Sequence, residues 1–376
     1  VTVHSVKSRK ERREFLELPY KLHRDQEHWI APLRLAQRDI LDTERHPFYK
    51  TAQVEMFLAR CGSLAVGRIM AILNRAHNEF HNERAGFFGF FEAINDLEVA
   101  RALFDSARDW LSRCGAEVMR GPVNPSTNYE CGLLVEGFEH DPAIMMPYNP
   151  PHYPELIEQC GLRKAMDLYA YYVDEESLIV SERVLRAAER LKRSENINLR
   201  TIDLGDLGRE IEVARSIYNR AWSRNWGFVP ASREEFEHMA RDLRRIIDPE
   251  LVYIAEKGQE PIGFFLALPD INRALKGVRD GRLLPLGWLK LLWRSRQIDS
   301  FRVITMGVVR EYQHLGVAAL FYEEAYRRGK ARGYRSAEMS WVLENNHMMN
   351  RAAELLGGRR YKTYRIYEAP LRSAGG

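Results

Sequence analysis

Cysteine is scarce: the 376 residues hold four, Cys61, Cys114, Cys131 and Cys160, widely spaced and without a CxxC pair. That spacing excludes a disulfide framework or a compact zinc module, so reduced thiols and no metal are expected. Long hydrophobic runs are missing as well. The most apolar stretch, Leu283 to Trp293, is about half the roughly 20 residues needed to span a bilayer, so no transmembrane segment is expected. The opening VTVHSVKSRKERREF is polar and basic with no apolar run behind it, so no signal peptide is read and a cytoplasmic location is expected. Net charge is nearly absent: 56 Lys+Arg against 52 Asp+Glu leaves +4. This excludes a nucleic-acid partner held through a broad basic field.

What is present is an ordinary globular balance, 45% hydrophobic and 29% charged, in a chain long enough for two domains. The two halves repeat each other. Phe88-Gly89-Phe90-Phe91 and Met306-Gly307-Val308-Val309 read as buried strands, each followed by an Ala-Leu-Phe triplet, 102–104 and 319–321, that opens a helix. Those helices stop at Gly115 and Gly333, and a second strand follows each, Glu117–Arg120 and Ala337–Trp341. The pattern returns as helix, glycine, basic pair and strand at Gly161-Leu162-Arg163-Lys164 and Gly357-Gly358-Arg359-Arg360. Between the copies, Leu178, Val180, Val184, Leu185, Ala188 and Leu191 have helical spacing and read as a bridging helix. The expected organisation is an N-terminal domain over 1–173, a linker helix over 174–196 and a C-terminal domain over 197–376. The second copy reads as strand 197–202, helices 207–224 and 232–247, then strands 251–256 and 262–268 around a hairpin at Lys257–Pro261. This order gives an α/β fold with a mixed sheet flanked by helices in each copy.

The segment richest in chemistry is the strand Val303–Val309, the loop Arg310–Val317 with Gly316, and the helix that starts at Ala318. The first turn of a helix leaves backbone amides unpaired and adds partial positive charge, which suits a pyrophosphate. Glycine at 316 and the small Ala318 keep side chains out of its way. The pattern Gln313-x-x-Gly316-x-Ala318 after a strand resembles the acyl-CoA loop of the GNAT superfamily of N-acetyltransferases, and the resemblance covers residues from about 197 to 369. It implies two tandem GNAT-like domains and an acyl-CoA cosubstrate. Met306, Gly307, Val308 and Val309 would lie along the pantetheine, Gln313, His314, Leu315, Gly316, Val317 and Ala318 around the phosphates, and Asn346 at the family's Asn-rich turn. It also implies a departure, because the position where many members carry a general-acid tyrosine falls on Ala353. In the first copy the corresponding loop reads Asp96–Arg101, with Val99 for the glycine and two carboxylates, Asp96 and Glu98, where phosphates would sit. Like charges there disfavour the ligand, so the first copy is expected to be degenerate and free of CoA.

Direct transfer of an acyl group to an amine needs a base, a donor to the thioester oxygen, and proximity. The backbone amide of Val308 is the candidate donor. Along 337–344 the residues alternate, so Glu338, Ser340, Val342 and Glu344 share a face. Glu344 is the first candidate base and Glu338 the second, with His347 a third and Tyr364 a candidate acid. The N-terminal copy contributes two Pro-rich polar loops, 121–128 and 146–153, whose Asn124, Asn128, Tyr148, Asn149 and Tyr153 are candidate acceptor-binding residues.

The insertion at about 269–300 is Trp-rich and basic, with Trp288 and Trp293 among Lys276, Arg279, Arg282 and Arg296. It suits a membrane interface, reached from the cytoplasmic side over residues 276–296, or a channel for a long acyl chain. In this it looks similar to bacterial lipid N-acyltransferases of the ceramide-synthase type. The expected activity is acyl transfer from CoA to a primary amine that is amphipathic or lipid-like. The alternatives are acetylation of a small amine (an amino acid, polyamine or antibiotic) and a non-catalytic CoA sensor.

Overall fold

The computed structural model describes residues 1–179, 182–194 and 196–371. In chain order the first half runs β1 (Thr2–Ser5), α1 (Arg9–Leu22), α2 (Arg34–Ile40), β2 (Ala52–Cys61), β3 (Leu64–Asn74), α3 (Arg75–His81), β4 (Ala85–Ala93) and α4 (Leu97–Arg113). It continues with β5 (Val118–Gly121), β6 (Val123–Asn124), β7 (Glu130–Cys131), β8 (Leu133–Glu136), α5 (Tyr153–Gln159) and β9 (Arg163–Asp174). The second half runs α6 (Glu182–Ser194), β10 (Ile197–Thr201), α7 (Leu207–Trp222), α8 (Arg233–Leu243), β11 (Val252–Lys257), β12 (Glu260–Pro269), α9 (Asn272–Leu275) and α10 (Gly287–Ser295). It ends with β13 (Ser300–Val308), α11 (Ala318–Ala331), β14 (Ser336–Leu343), α12 (His347–Leu355) and β15 (Arg359–Pro370).

The chain forms two compact units. One comprises Val1–Leu168, Leu275–Trp293 and the chain from Lys362 on; the other comprises Tyr169–Ala274 and Arg294–Tyr361. In the first, β1, β2, β3 and β4 pair antiparallel in order, β4 and β5 pair parallel, and β15 closes against β5 with Tyr367 opposite Gly121. In the second, β10, β11, β12 and β13 pair antiparallel, β13 and β14 pair parallel, and β9 stands next to β14. The two topologies match, with one consequence for the repeat: each unit takes its last strand from the other copy, β15 in the first and β9 in the second.

Two pairs of repeat glycines do the same work in both copies. Gly115 (φ +83°) and Gly333 (φ +84°) end α4 and α11, and Gly161 and Gly357 (both +83°) precede the exchanged strands. A side chain at such a φ is strained, which fixes glycine there.

Strand alternation places the cores. In the second unit Tyr253, Ala255, Phe265 and Ala267 point to the face covered by α6 and α11, through Ala188, Leu191, Leu320 and Phe321. Val252, Ile254 and Phe264 point to the other face, covered by Ala214 and Ile217 of α7. The bridging helix is therefore part of this core, tied further by Lys192 to Glu323 at 2.8 Å. Val180 of the expected bridge lies outside the described residues. In the first unit Phe88, Phe91, Leu103, Phe104, Leu111 and Met119 form the core between the sheet and α4. Among the described residues no helix is long and apolar enough to cross a membrane.

Candidate active site

The geometry that matters begins where β13 and β14 part. They pair only from Ser300 opposite Ser336 to Val303 opposite Met339, while β13 continues along β12 as far as Val308 opposite Gly263. Past Val303, strand β13 keeps a partner on one side alone among the described residues. Successive strand amides point to opposite sides. The amide of Val309 donates to Ile262 O at 2.8 Å on the β12 side. The amide of Val308 therefore faces the side that β14 has left, where a thioester oxygen can be met. Gly307 is held by a close approach: a Cβ there would lie 2.1 Å from the Trp222 ring. Trp222 ends α7 and stacks on Tyr218 with ring centroids 5.1 Å apart.

After β13 the chain makes a tight helical turn over Arg310–Leu315, and Gln313 Nε2 donates to Val308 O at 3.0 Å, fastening the loop to the strand end. Gly316 has φ +84°, and a Cβ built there meets nothing within 4 Å. Glycine is thus required by the left-handed backbone rather than by crowding within the chain, and the space beside it stays open. Val317, at the N-cap of α11, is buried and provides no side-chain cap. Within that turn the amides of Ala319 and Leu320 already donate to Gly316 O (2.9 Å) and Val317 O (3.0 Å), which leaves those of Val317 and Ala318, with the pull of the helix dipole, to an anion. This fits a pyrophosphate.

The first copy answers each of these features with its own chain. Residues Asp96–Arg101 are not a loop, as the repeat suggested, and the triplet 102–104 does not open the helix. Asp96 is the N-cap of α4, and its carboxylate accepts from the amides of Glu98 (2.8 Å) and Val99 (3.4 Å), so helix begins at Leu97. The cap places a carboxylate at this helix terminus, where α11 has neither a side-chain cap nor an acidic residue in its first turn. Strands β4 and β5 also part, after Phe87 opposite Arg120, but the gap is filled. A Cβ on Gly89 would lie 1.7 Å from Val123 O, and Asn124 Oδ1 accepts from the Phe90 amide at 2.7 Å. Asn124, expected to bind an acceptor, closes its own unit instead.

Of the candidate bases, Glu338 is buried on β14 and fully engaged. Ser340 Oγ and Tyr361 OH both donate to it, and Arg302 Nε lies 3.8 Å away while donating to Ser340 Oγ at 2.8 Å. A carboxylate so satisfied holds β13 to β14 where they pair. Glu344 is half-buried in the turn just past β14, and its carbonyl and that of Leu343 accept from Asn350 Nδ2 at 3.3 and 2.9 Å. Asn346 caps α12 by accepting from the Met349 amide at 3.2 Å, and His347, the first residue of that helix, is exposed. Ala353 is buried against Tyr171 and Val342. Tyr171 fills the space beside it, its hydroxyl donating to Asn350 Oδ1 at 3.0 Å, and burial pushes this phenol above its ordinary range. Tyr364 belongs to the first unit, buried on β15 opposite Leu134.

The polar residues of the first unit separate into three environments. Asn149 is buried and pairs with Leu134 through both amide atoms, accepting at 2.7 Å and donating at 3.1 Å. Tyr148 OH reaches Phe138 O at 3.4 Å, and the Asn128 amide donates to Ser126 Oγ at 3.2 Å. Tyr153 belongs to a buried cluster that the sequence did not reveal. Its hydroxyl donates to Glu92 Oε2 at 3.0 Å, His23 Nε2 lies 2.5 Å from the same oxygen, and Arg68 Nη2 lies 3.5 Å from the other. Burial pushes the Glu92 carboxyl up, but the charges and hydrogen bonds of His23 and Arg68 outweigh it and hold the group low. Burial raises the Tyr153 phenol well above its ordinary range. Trp288 and Trp293 are both exposed on α10.

No protein-family model matches the sequence. The chain is similar to a bacterial ceramide synthase from Caulobacter vibrioides, with 37% identity over 99% of this chain and 98% of that protein. It is similar also to the protein YghO of Escherichia coli, with 36% identity over 95% of this chain and 92% of the relative. Among solved structures, a tandem GNAT protein from the clavulanic acid biosynthesis pathway shares the fold, with TM-score 0.57 at 12% identity over 99% of this chain and 98% of that one.

Proposed function

The chain belongs to the family of the bacterial ceramide synthase, and from that premise we propose that it moves a long acyl group from a CoA thioester to the primary amine of an amphipathic, lipid-like acceptor. It is an acyltransferase on a tandem GNAT fold. The observation that carries the finer reading is the difference between the copies: the strands part in both, but in the first Asn124 fills the gap and Asp96 puts a carboxylate on the helix terminus, while α11 starts with neither a side-chain cap nor an acidic residue.

In this reading the amides at the start of α11 and the loop 313–318 take the pyrophosphate, with Asn346 at the turn beyond β14. The pantetheine runs along Met306–Val309, and the Val308 amide donates to the thioester oxygen as negative charge builds there. Glu344, with His347 beside it, takes the proton that the ammonium must lose before attack. The new C–N bond forms as the C–S bond breaks, and the proton released balances the departing thiolate. The relative's name supports a lipid-like amine as acceptor.

The test is thiol release from acetyl-CoA and palmitoyl-CoA, with single-chain amphipathic amines and with small polar amines as acceptors. Turnover restricted to palmitoyl-CoA and an amphipathic amine is the expected result. Equal use of both donors, or turnover with small polar amines alone, overturns the lipid reading. Binding of CoA without turnover across the whole panel overturns the transfer.

A further inference from the structure

Helix α10 is partly covered along Gly287, Leu291 and Ser295 and leaves its other residues exposed. None of its nine residues is buried, although five of them are Trp or Leu. Together with the turn before it, Leu284, Leu286, Trp288, Leu289, Leu292 and Trp293 are each between 45% and 76% exposed. An isolated helix of this length is marginal in water, and contiguous exposed apolar side chains mark a contact surface. At 100° per residue Trp288, Leu292, Leu289 and Trp293 share one arc of about 140°, with Lys290 and Arg294 on the opposite side. Residues 276–296 hold six basic side chains against one acidic, Asp280. Lys276 is taken by Asp141 at 2.6 Å, and Arg282 lies 3.9 Å from Asp280. Lys290 and Arg294 face no acidic side chain among the described residues.

We propose that α10 docks on an anionic lipid bilayer, its Trp/Leu arc in the boundary between headgroups and acyl chains and Lys290 and Arg294 reaching lipid phosphates. Aromatic and aliphatic groups with flanking lysine and arginine are what such a boundary accepts. A second copy of the chain fits less well, because a two-fold contact through this helix sets Lys290 and Arg294 against their own counterparts. An anionic lipid surface answers the apolar arc and the charge together. The attachment does not rest on the transfer chemistry.

Co-sedimentation of the full chain with vesicles tests it. Binding to vesicles made half of phosphatidylglycerol, weak binding to pure phosphatidylcholine, and loss of binding on adding salt are expected. Lys290→Gln should weaken the partition about fivefold, and Lys290→Gln with Arg294→Gln on the order of 25-fold. Leu289→Glu should abolish it, with the far-UV spectrum unchanged. Thiol release in lipid-free buffer should stay at the parent rate in the double glutamine variant, which separates loss of docking from loss of transfer. Equal sedimentation with both vesicle types, none with either, or variants that bind like the parent overturn the proposal. So does a concentration-dependent dimer in light scattering that Leu289→Glu dissolves, which assigns the helix to a second copy.

Discussion

Gly307→Ala tests the contact that shapes the open end of β13. The added methyl would lie 2.1 Å from Trp222. An ordinary carbon–carbon contact is about 3.5–4.0 Å, so ring or strand must give by roughly 1.5 Å. Overpacking of this kind costs about 1–3 kcal/mol, against which alanine recovers about 0.4–1 kcal/mol by narrowing the unfolded ensemble. The net expectation is a loss of about 0.5–2 kcal/mol. If the strand is what yields, the Val308 amide moves with it, and thiol release should fall in kcat more than in KM for acyl-CoA. Trp222→Leu removes the obstacle at its own cost, roughly 1–2 kcal/mol for a half-buried indole. The double variant should then be more stable than the sum of the single changes implies, by about 1–2 kcal/mol. Urea unfolding of all four proteins, read beside their turnover, closes the cycle. Additivity within about 0.5 kcal/mol would refute a steric coupling between Gly307 and Trp222.

Three further outcomes follow from buried polar groups. His77 is buried beside Glu83 (2.5 Å), His81 and Phe87, and burial pushes its imidazole down from 6.5 to about 4. Below pH 6.5 the unfolded chain takes up a proton that the folded chain refuses, so stability should fall by about 2.8 kcal/mol from pH 7 to pH 4 through this group. Glu83, held low by His77 and Arg120 against the upward push of burial, loses its contribution only below its ordinary 4.5. Denaturation midpoints of His77→Phe should therefore be flatter than the parent's between pH 4 and 6.5, and parallel curves would count against it. Asn124→Leu should cost about 1–3 kcal/mol by stranding the Phe90 amide, yet leave the KM for acyl-CoA unchanged; a raised KM would return Asn124 to a binding role. Arg302→Met should cost about 3–5 kcal/mol by leaving buried Glu338 without its counter-charge, and adding Glu338→Met should recover most of it. Loss of turnover in a stable double variant would instead make Glu338 the base.

Much of this fold was legible in the chain. Glycines mark helix ends wherever the backbone turns left-handed, so Gly115, Gly161, Gly333 and Gly357 gave the repeat its frame, and their common φ bears this out. The loop at Gln313–Ala318 was equally readable, because strand, glycine and helix follow within a few residues. The exchange of β9 and β15 was not, since alternation along a strand tells which face is buried but not which neighbour it joins. The start of α4 was misread by aligning it with the other copy, although Asp96 carried a capping signal of its own. Trp222 over Gly307, Asn124 in the first gap and Glu92 beside His23 are long-range contacts between side chains of ordinary local context. Spacing along the chain holds no trace of them.

The account stands on the open N-terminus of α11 as an anion site, and calorimetric titration of CoA into the parent and Ala318→Glu tests it most directly. A glutamate in the first turn complements the helix dipole, so the fold should be as stable as before or gain about 0.3–1 kcal/mol. The same carboxylate opposes a pyrophosphate, so affinity should drop at least tenfold from a parent that binds one CoA per chain. A parent that takes up no CoA, or a glutamate variant that binds it as tightly, would contradict the account.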